Sequence, residues 1–340
     1  MEPDGPAPDH IMELGLGFQA SKTTLAAVTL GVFDSLADGP KTRRELEREL
    51  GLHPRGARDF LDALVALDLL EREDGRYRNT AAADAYLVPG TPSYLGGFLQ
   101  MANDRLYPFW DDLEAALQTG ETQNELEDPD THPFEGVVYH DDAILEQFVG
   151  AMTGLSLGVA EALAHEFPWD DHETVVDLGA SEGVVPKAIA EANDHIEAIG
   201  VDLPRVEPHF RSFTSDSPAA DRLTFETGDF FGDEPLPPAD VYVLGHILHD
   251  WGVEDRREIL AKVADAVRPG GAVIVYGTMI DEERRENATG LLMSLNMLIE
   301  TPDGFDYTPS QCLGWLHDAG FEGGEARELP GPETMVVARR

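Results

Sequence analysis

The segment from Val175 to Asp202 constrains the fold of this chain more than any other. It opens with an apolar run, Val-Val-Asp-Leu, that enters a glycine-containing turn, Gly-Ala-Ser-Glu-Gly, and an alanine-rich run follows. A second apolar run then ends at Asp202, 25 residues after Asp177. A strand, a glycine turn, a helix and a second strand ending on an acid make up a nucleotide-binding β-α-β unit. The sequence therefore predicts a parallel sheet with a nucleotide-type site at the carboxyl ends of its strands.

The glycine turn favours one kind of nucleotide over another. It keeps Gly179 and Gly183 but places Glu182 where a pyrophosphate would have to sit. A carboxylate repels phosphate and tolerates a cation, and an acid at the position of Asp202 suits a ribose with free hydroxyls. This combination favours a sulfonium nucleoside, S-adenosylmethionine, over NAD.

From Thr174 onward, strand and helix patterns alternate along the chain. Strands are predicted at 174–178, 197–202, 222–226, 240–244 and 271–277, and helices at 184–193, 254–267, 284–300 and 308–319. The last residues, 325–329 and 334–338, predict an antiparallel hairpin. The predicted fold class is α/β: a Rossmann-like, doubly wound, mostly parallel sheet with a terminal antiparallel hairpin.

The residues before the sheet predict a separate helical domain with a winged-helix arrangement. Residues 11–37 have helical spacing, Thr42 to Glu45 reads as a capping box, and Pro54 begins a helix that extends to Leu70. Asp74-Gly75 then predicts a β-hairpin. We predict a winged-helix dimerisation domain over 1–105, a helical linker that contributes to the active site over 106–168, and a nucleotide-binding domain over 169–340.

The charge balance excludes one class of partner. The chain has 65 acidic and 24 basic residues, a net charge of −41, spread along its length. Nucleic-acid binding needs a basic face, so the winged helix is expected to serve packing and dimerisation rather than DNA binding. An acidic surface suited to high salt explains the charge most simply, and an acidic partner-binding surface is the alternative.

Compartment signals point to a reducing, aqueous environment. The single cysteine, Cys312, excludes an internal disulfide framework. Residues 1–10 lack the pattern of a secretion signal, and no apolar run reaches the roughly 18 residues of a membrane helix. We therefore expect a cytoplasmic protein with no membrane partner.

Three sequence elements coincide with the ends of successive predicted strands. They are the turn from Asp177 to Gly183, then Asp202, then Gly-Asp-Phe-Phe at 228–231. Open α/β sheets bind ligands at this edge. Asp229 is placed to accept a hydrogen bond from an adenine amino group, and Phe230 to cover the base.

The fourth predicted strand ends in Gly-His-Ile-Leu-His-Asp-Trp at 245–251. Neutral imidazole has an unperturbed pKa near 6.5, so a histidine here can act as a general base. His249 fits this role best, whereas His246 fits a packed core histidine about as well. A metal site formed by the two histidines is a further alternative, although no third ligand follows at fixed spacing.

Several motifs together resemble a known family. They are Asp-Leu-Pro at 202–204, Gly-Asp-Phe-Phe at 228–231, Leu-His-Asp-Trp at 248–251, Arg-Pro-Gly-Gly at 268–271 and Ser-Leu-Asn-Met-Leu at 294–298. With them the chain resembles, over nearly its whole length, the class I S-adenosylmethionine-dependent O-methyltransferases of the hydroxyindole and caffeic-acid type. The resemblance implies methyl transfer to a phenolic or enolic hydroxyl of a small molecule. It also implies a homodimer formed through the N-terminal domain.

The resemblance also implies residue roles. It places the cofactor against Gly179, Asp202, Asp229, Phe230, Tyr139 and His246, the acceptor substrate against Asn296 and Met297, and catalysis at His249 with Asp306 supporting it. No metal is implied. The family frequently has a glutamate late in the fifth strand that orients the histidine, and this chain has Gly277 there. That departure keeps open a cofactor-binding homologue with lost or altered catalysis, such as a regulatory protein or an N- or C-methyltransferase.

Overall fold

A computed structural model describes residues 8–91, 93–126, 128 and 130–340. The chain divides into two compact units, Met1–Tyr107 and Pro108–Arg340. The helices and strands of the first unit are α1 (Asp9–Thr29), α2 (Val32–Ala37), β1 (Lys41–Thr42), α3 (Arg43–Glu49), α4 (Pro54–Ala66), β2 (Leu70–Glu73), β3 (Arg76–Asn79), α5 (Ala81–Tyr86) and α6 (Gly96–Met101).

The first unit has the predicted winged-helix arrangement. The capping box is present: Glu45 N donates to Thr42 Oγ1 at 3.4 Å, and Thr42 N donates to the Glu45 carboxylate at 2.6 Å. Strands β2 and β3 are joined at Asp74-Gly75, whose φ values of 49° and 74° are those that a tight hairpin turn requires. Both features are local, which is why the sequence predicts them directly.

Two predicted helix ends in this unit are wrong. The predicted helix 11–37 is two helices, because Gly31 adopts a φ of 71° between α1 and α2. The helix predicted to reach Leu70 ends at Ala66, and Leu70 begins β2. In the second case Asp68, with a φ of 57°, turns the chain out of the helix.

The second unit contains the sheet. After α7 (Tyr107–Phe109) at the boundary, its elements are α8 (Leu113–Thr119), α9 (Asp142–Glu166), β4 (Thr174–Leu178), α10 (Val184–Ala192), β5 (Glu197–Asp202), α11 (Glu207–Thr214), β6 (Leu223–Thr227), β7 (Ala239–Gly245), α12 (Val253–Ala266), β8 (Val267–Gly277), α13 (Ala288–Glu300), α14 (Pro309–Asp318), β9 (Glu322–Glu328) and β10 (Thr334–Arg339).

The sheet has seven strands in the order β6-β5-β4-β7-β8-β10-β9. The five strands β4 to β8 are parallel, whereas β10 is antiparallel to β8 and β9 is antiparallel to β10. The predicted doubly wound sheet with a terminal hairpin is therefore confirmed. The strand order reverses between β4 and β7, and such a switch point opens a crevice at the carboxyl ends of the strands.

One helix of the described residues, α9, is long and apolar enough to cross a membrane by length and composition alone. The core helix of a soluble protein passes the same test. Leu145, Val149 and Leu163 of α9 are buried, and the helix packs against α10. Core packing thus accounts for its apolar composition.

Candidate active site

The turn after β4 depends on its glycines. Gly179 and Gly183 have φ values of 76° and 86°, which side chains rarely adopt. A Cβ at Gly179 would lie 2.4 Å from Ile247 Cδ1, and one at Gly183 would lie 2.4 Å from a ring carbon of Phe210. Ile247 and Phe210 therefore pack so closely on the backbone of this turn that only glycine fits at these two positions. Glu182, half-buried, lies in this turn.

Asp202 ties three segments together at the end of β5. Its Oδ2 accepts from Ser181 N at 2.9 Å, and its Oδ1 accepts from Leu203 N at 2.7 Å and from the Tyr139 hydroxyl at 3.4 Å. A carboxylate has about four acceptor positions, so one remains on Oδ2. That position suits a ribose hydroxyl, and Asp202 is 7% exposed.

Of the two buried acids beside the glycine turn, Asp177 and Asp202, only one is ionised at neutral pH. Burial raises the pKa of Asp202 to about 6, and the N–H groups of Ser181 and Leu203 counteract the rise. Burial and the neighbouring Asp202 raise the pKa of Asp177 to about 8. At neutral pH Asp202 is therefore ionised while Asp177 keeps its proton.

The segment after β6 contacts the end of β5 at Asp202. Gly228 N donates to the Asp202 carbonyl at 3.0 Å, and Asp229 and Phe230 are the next two residues along the chain. Asp229 is exposed and accepts from Phe231 N at 2.8 Å. The ring of Phe230 packs edge-to-face on Trp251, with centroids 5.7 Å apart.

Sequence reasoning missed an aromatic wall beside these residues. His132 stacks on Trp251, with ring centroids 4.1 Å apart, and His132 Nε2 lies 3.2 Å from the Asp250 carbonyl. Phe134 adjoins both rings. Trp251 stands next to the histidine motif and could have been identified from it. His132 lies in an irregular stretch of chain where no periodicity indicates its position.

His249 lies buried between two carboxylates. Its Nδ1 is 3.3 Å from Asp306 Oδ1, and its Nε2 is 3.6 Å from Asp250 Oδ1. Burial lowers the pKa of His249, but the two carboxylates outweigh it and raise the pKa to about 9. Burial also raises the pKa of Asp250 to about 7. The structure thus joins His249 to Asp306, the pair predicted to be catalytic.

Arg256 fastens the two segments that carry this pair, and sequence reasoning did not identify it. The side chain is completely buried; its Nε donates to the Trp251 carbonyl at 2.7 Å and its Nη2 to the Phe305 carbonyl. The guanidinium also lies over three rings, at 3.9 to 4.9 Å from their centroids, those of Phe305, Tyr307 and Trp315. Its position was hidden because it occupies an ordinary charged position of a helix pattern.

His246 lies beside His249 in a strained conformation. Its φ is 56°, its N–H donates to the Tyr276 carbonyl at 3.0 Å, and its ring centroid lies 5.8 Å from that of His249. Burial, together with His249, lowers the pKa of His246 to about 3, so its imidazole is neutral at physiological pH. In the described part of the chain, no three His, Cys, Asp or Glu side chains are arranged to hold a metal ion. The predicted cofactor contact of His246 stays a prediction.

Asn296 and Met297, the predicted acceptor contacts, are buried on α13. Asn296 Oδ1 accepts from Trp110 Nε1 at 2.9 Å, and its amide nitrogen donates to the Glu300 carboxylate. Asn296 thus connects α13 to the segment before α8. Its contact with an acceptor also stays a prediction.

Comparisons with known proteins show the family of this chain. Residues 110–322 match the profile of an O-methyltransferase domain, and residues 12–89 match that of an O-methyltransferase dimerisation domain. The chain is 42% identical over 334 residues to the tetracenomycin polyketide synthesis 8-O-methyl transferase TcmO of Streptomyces glaucescens, covering 98% of this chain and 97% of that protein. It is 35% identical over 322 residues to the N,N-dimethyltransferase OxyT of Streptomyces rimosus, covering 94% and 92%.

A solved structure identifies the ligand of one relative. Human N-acetylserotonin methyltransferase in complex with S-adenosylmethionine has a TM-score of 0.90, 27% identity and coverage of 100% of this chain and 99% of that chain. The fold and site define a methyltransferase of the class that uses S-adenosylmethionine, and the predicted cofactor is confirmed at this level. The chain belongs to the O-methyltransferase family that carries an N-terminal dimerisation domain.

Asp202→Asn tests the cofactor corner. The amide keeps the shape of the side chain but loses the charge and one acceptor oxygen, and a hydrogen bond to a charged group contributes about 1.5–3 kcal/mol. We expect S-adenosylhomocysteine to bind about ten- to a hundredfold more weakly in calorimetry. Asp216→Asn, at an exposed position after α11, is the control. Unchanged affinity in Asp202→Asn would remove this residue from the site.

The acid limb of the pH profile tests the environment of His249. A base with a pKa raised to about 9 is protonated below that pH, so kcat/KM should rise with pH and level off on the alkaline side. Asp306→Asn removes one of the anions that raise the pKa, so its limb should move to lower pH and its plateau should fall. Exposed Asp318→Asn should leave the profile unchanged. An identical limb in Asp306→Asn would show that Asp306 does not act on the base.

Proposed function

We propose that this chain transfers a methyl group from S-adenosylmethionine to a phenolic or enolic hydroxyl of a small molecule, with His249 as general base. One observation carries the proposal. The buried imidazole of His249 is held between Asp306 and Asp250, at the end of the strand that adjoins the glycine turn. General-base catalysis requires a side chain that is positioned to reach the proton it removes, and the two carboxylates orient this imidazole.

The residues around the glycine turn fit the cofactor. Gly179 lets the backbone come close, Asp202 has one acceptor position for a ribose hydroxyl, and Asp229 with Phe230 would hold the adenine. Tyr139 would cover the nucleoside, since its hydroxyl reaches Asp202. When bound, S-adenosylmethionine supplies an electrophilic methyl group on a sulfonium sulfur.

The chemistry left to the chain is proton removal and positioning. His249 takes the proton of the acceptor hydroxyl, and Asp306 stabilises the imidazolium that forms. Holding the reacting groups close supplies much of the acceleration in such a displacement. Asn296 and Met297 would orient the acceptor, while Trp251 and its aromatic neighbours exclude water.

The acceptor is proposed to be a hydroxylated aromatic polyketide. The Streptomyces glaucescens relative is named as an 8-O-methyl transferase of polyketide synthesis, and the two proteins match over nearly their whole lengths. A phenol of this kind has a pKa near 10. His249, with its pKa raised toward that value, is suited to remove such a proton.

Transfer to nitrogen is the second candidate. The relative OxyT is named an N,N-dimethyltransferase and matches 94% of this chain. A neutral amine needs less help from a base than a phenol does, so the two activities differ in their dependence on His249. Mass spectrometry of the methylated products separates them.

We also propose that the protein is a homodimer formed through its first unit. Helix α1 exposes five large apolar side chains, those of Ile11, Met12, Leu14, Leu16 and Phe18. A large exposed apolar surface is typical of an association site. All of these residues except Ile11 fall at the start of the region that matches the dimerisation domain, residues 12–89.

The base is tested with His249→Ala. With labelled S-adenosylmethionine and a panel of small phenols and hydroxylated polycyclic aromatics, methyl transfer should fall by about 10²–10⁴. Binding of S-adenosylhomocysteine should not change. His165→Ala, at the exposed end of α9, controls for loss of an imidazole. Equal rates in His249→Ala and the wild type would exclude His249 as the base.

The dimer is tested with the double variant Leu14→Glu, Phe18→Glu. Two charges in the apolar face of α1 should convert the dimer to a monomer in light scattering, because each would be buried without a partner. Gln19→Glu adds charge to the same helix without removing an apolar side chain and should remain dimeric. A wild-type protein that is monomeric at micromolar concentration would contradict the proposal.

A further inference from the structure

Glu333 places a carboxylate near the end of β8, the fifth parallel strand, where the chain has Gly277 instead of an acidic residue. It precedes β10, and its neighbour Thr334 pairs with Gly277, the last residue of β8. Glu333 belongs to the turn between β9 and β10, where its carbonyl accepts from Leu329 N at 2.9 Å. The side chain is 11% exposed, so it points into the unit rather than into solvent.

The Glu333 carboxylate contacts one hydroxyl and faces one imidazole. Oε1 accepts from the Thr278 hydroxyl at 2.9 Å, and Oε2 lies 3.6 Å from His246 Nε2. Within the described residues, Oε2 and Nε2 are both buried without a hydrogen-bond partner. Unpartnered buried polar atoms cost free energy, so a facing pair of them requires an explanation.

His246 stands between Glu333 and the strand end. A Cβ built at Gly277 would have His246 Nδ1 as its nearest neighbour, at 3.9 Å. The ring therefore presents Nδ1 toward Gly277 and Nε2 toward Glu333. Its centroid lies 5.8 Å from that of His249, so the imidazole reaches from the carboxylate to the proposed base.

We propose that Glu333 is a positioning residue of the proposed base, which supplies through His246 the carboxylate that Gly277 cannot. The proposal rests on His249 acting as base. Glu333 fixes the ring of His246, against which His249 is placed, and its negative charge stabilises the imidazolium that His249 becomes.

The electrostatics of the cluster are consistent with this role. Burial raises the pKa of Glu333, with Asp306 acting in the same direction, while Thr278 and His249 lower it. Glu333 and His249 therefore favour each other's charged forms. The groups that face this cluster are His246, His249, Asp306, Thr278 and Tyr276.

Glu333→Gln is the decisive variant, because the amide oxygen can still accept from Thr278 while the charge is lost. On the alkaline plateau kcat should fall about three- to thirtyfold, less than the loss of the base itself. The acid limb of kcat/KM should move to lower pH, and KM for both substrates should stay within about twofold. Glu328→Gln, on the exposed face of β9, is the matched control.

A measurement without turnover separates this proposal from the proposed function. In protein labelled at histidine, the His249 resonance, assigned with His249→Ala, should titrate at lower pH in Glu333→Gln than in the wild type. If the wild type transfers no methyl group, the proposed function fails, and this titration still tests Glu333.

Moving the carboxylate completes the test. Gly277→Glu in the Glu333→Gln background should recover most of kcat, since a Cβ at Gly277 meets nothing closer than 3.9 Å. Recovery would support replacement of one acid by the other, and its failure would overturn that part of the proposal. A wild-type kcat and an unmoved His249 titration in Glu333→Gln would overturn all of it, as would a lower kcat accompanied only by a lower melting temperature.

Discussion

The chain segments around the glycine turn are held together by the carboxylate of Asp202. It accepts hydrogen bonds from the glycine turn after β4, from its own strand end and from Tyr139, and its backbone carbonyl accepts from Gly228. Four separate segments of chain thus meet at one residue. Charge-assisted hydrogen bonds of this kind are stronger than neutral ones, so the segments are held in one arrangement before a ligand arrives. Preorganisation lowers the free-energy cost of ordering them on binding.

The pKa of His249 depends on its burial and on the carboxylates beside it. Desolvation alone would keep His249 neutral, yet two nearby carboxylates raise its pKa from 6.5 to about 9. His249 is therefore largely protonated at neutral pH in the ligand-free state. In the proposed site a sulfonium cation beside His249 would disfavour the imidazolium, so cofactor binding would favour deprotonation of His249. His246 is also buried and lies 3.6 Å from Glu333 Oε2, yet burial and the neighbouring His249 lower its pKa.

Arg256 compensates part of the cost of burying Asp250 and Asp306 close together. Its guanidinium lies among three aromatic rings and donates to the carbonyls of Trp251 and Phe305, which flank the two segments that carry Asp250 and Asp306. A buried cation near buried carboxylates compensates part of their desolvation cost. The arrangement of His249, Asp250 and Asp306 therefore depends on a residue outside every recognised motif.

The sequence by itself determined the local features: the β-α-β unit with strands at 174–178 and 197–202, the capping box at Thr42, the terminal hairpin and the cofactor class. These follow from periodicity, turn chemistry and short motifs, which act between residues close along the chain. Only the tertiary structure decided the rest. Strand β8 begins at Val267 rather than 271, because Gly270 and Gly271 pair with Arg340, and long-range pairing overrides a Pro-Gly-Gly turn signal. Arg256, His132 and Glu333 join the site through contacts distant in sequence, and the pKa of each histidine is set by burial and neighbouring charges that exist only in the folded chain.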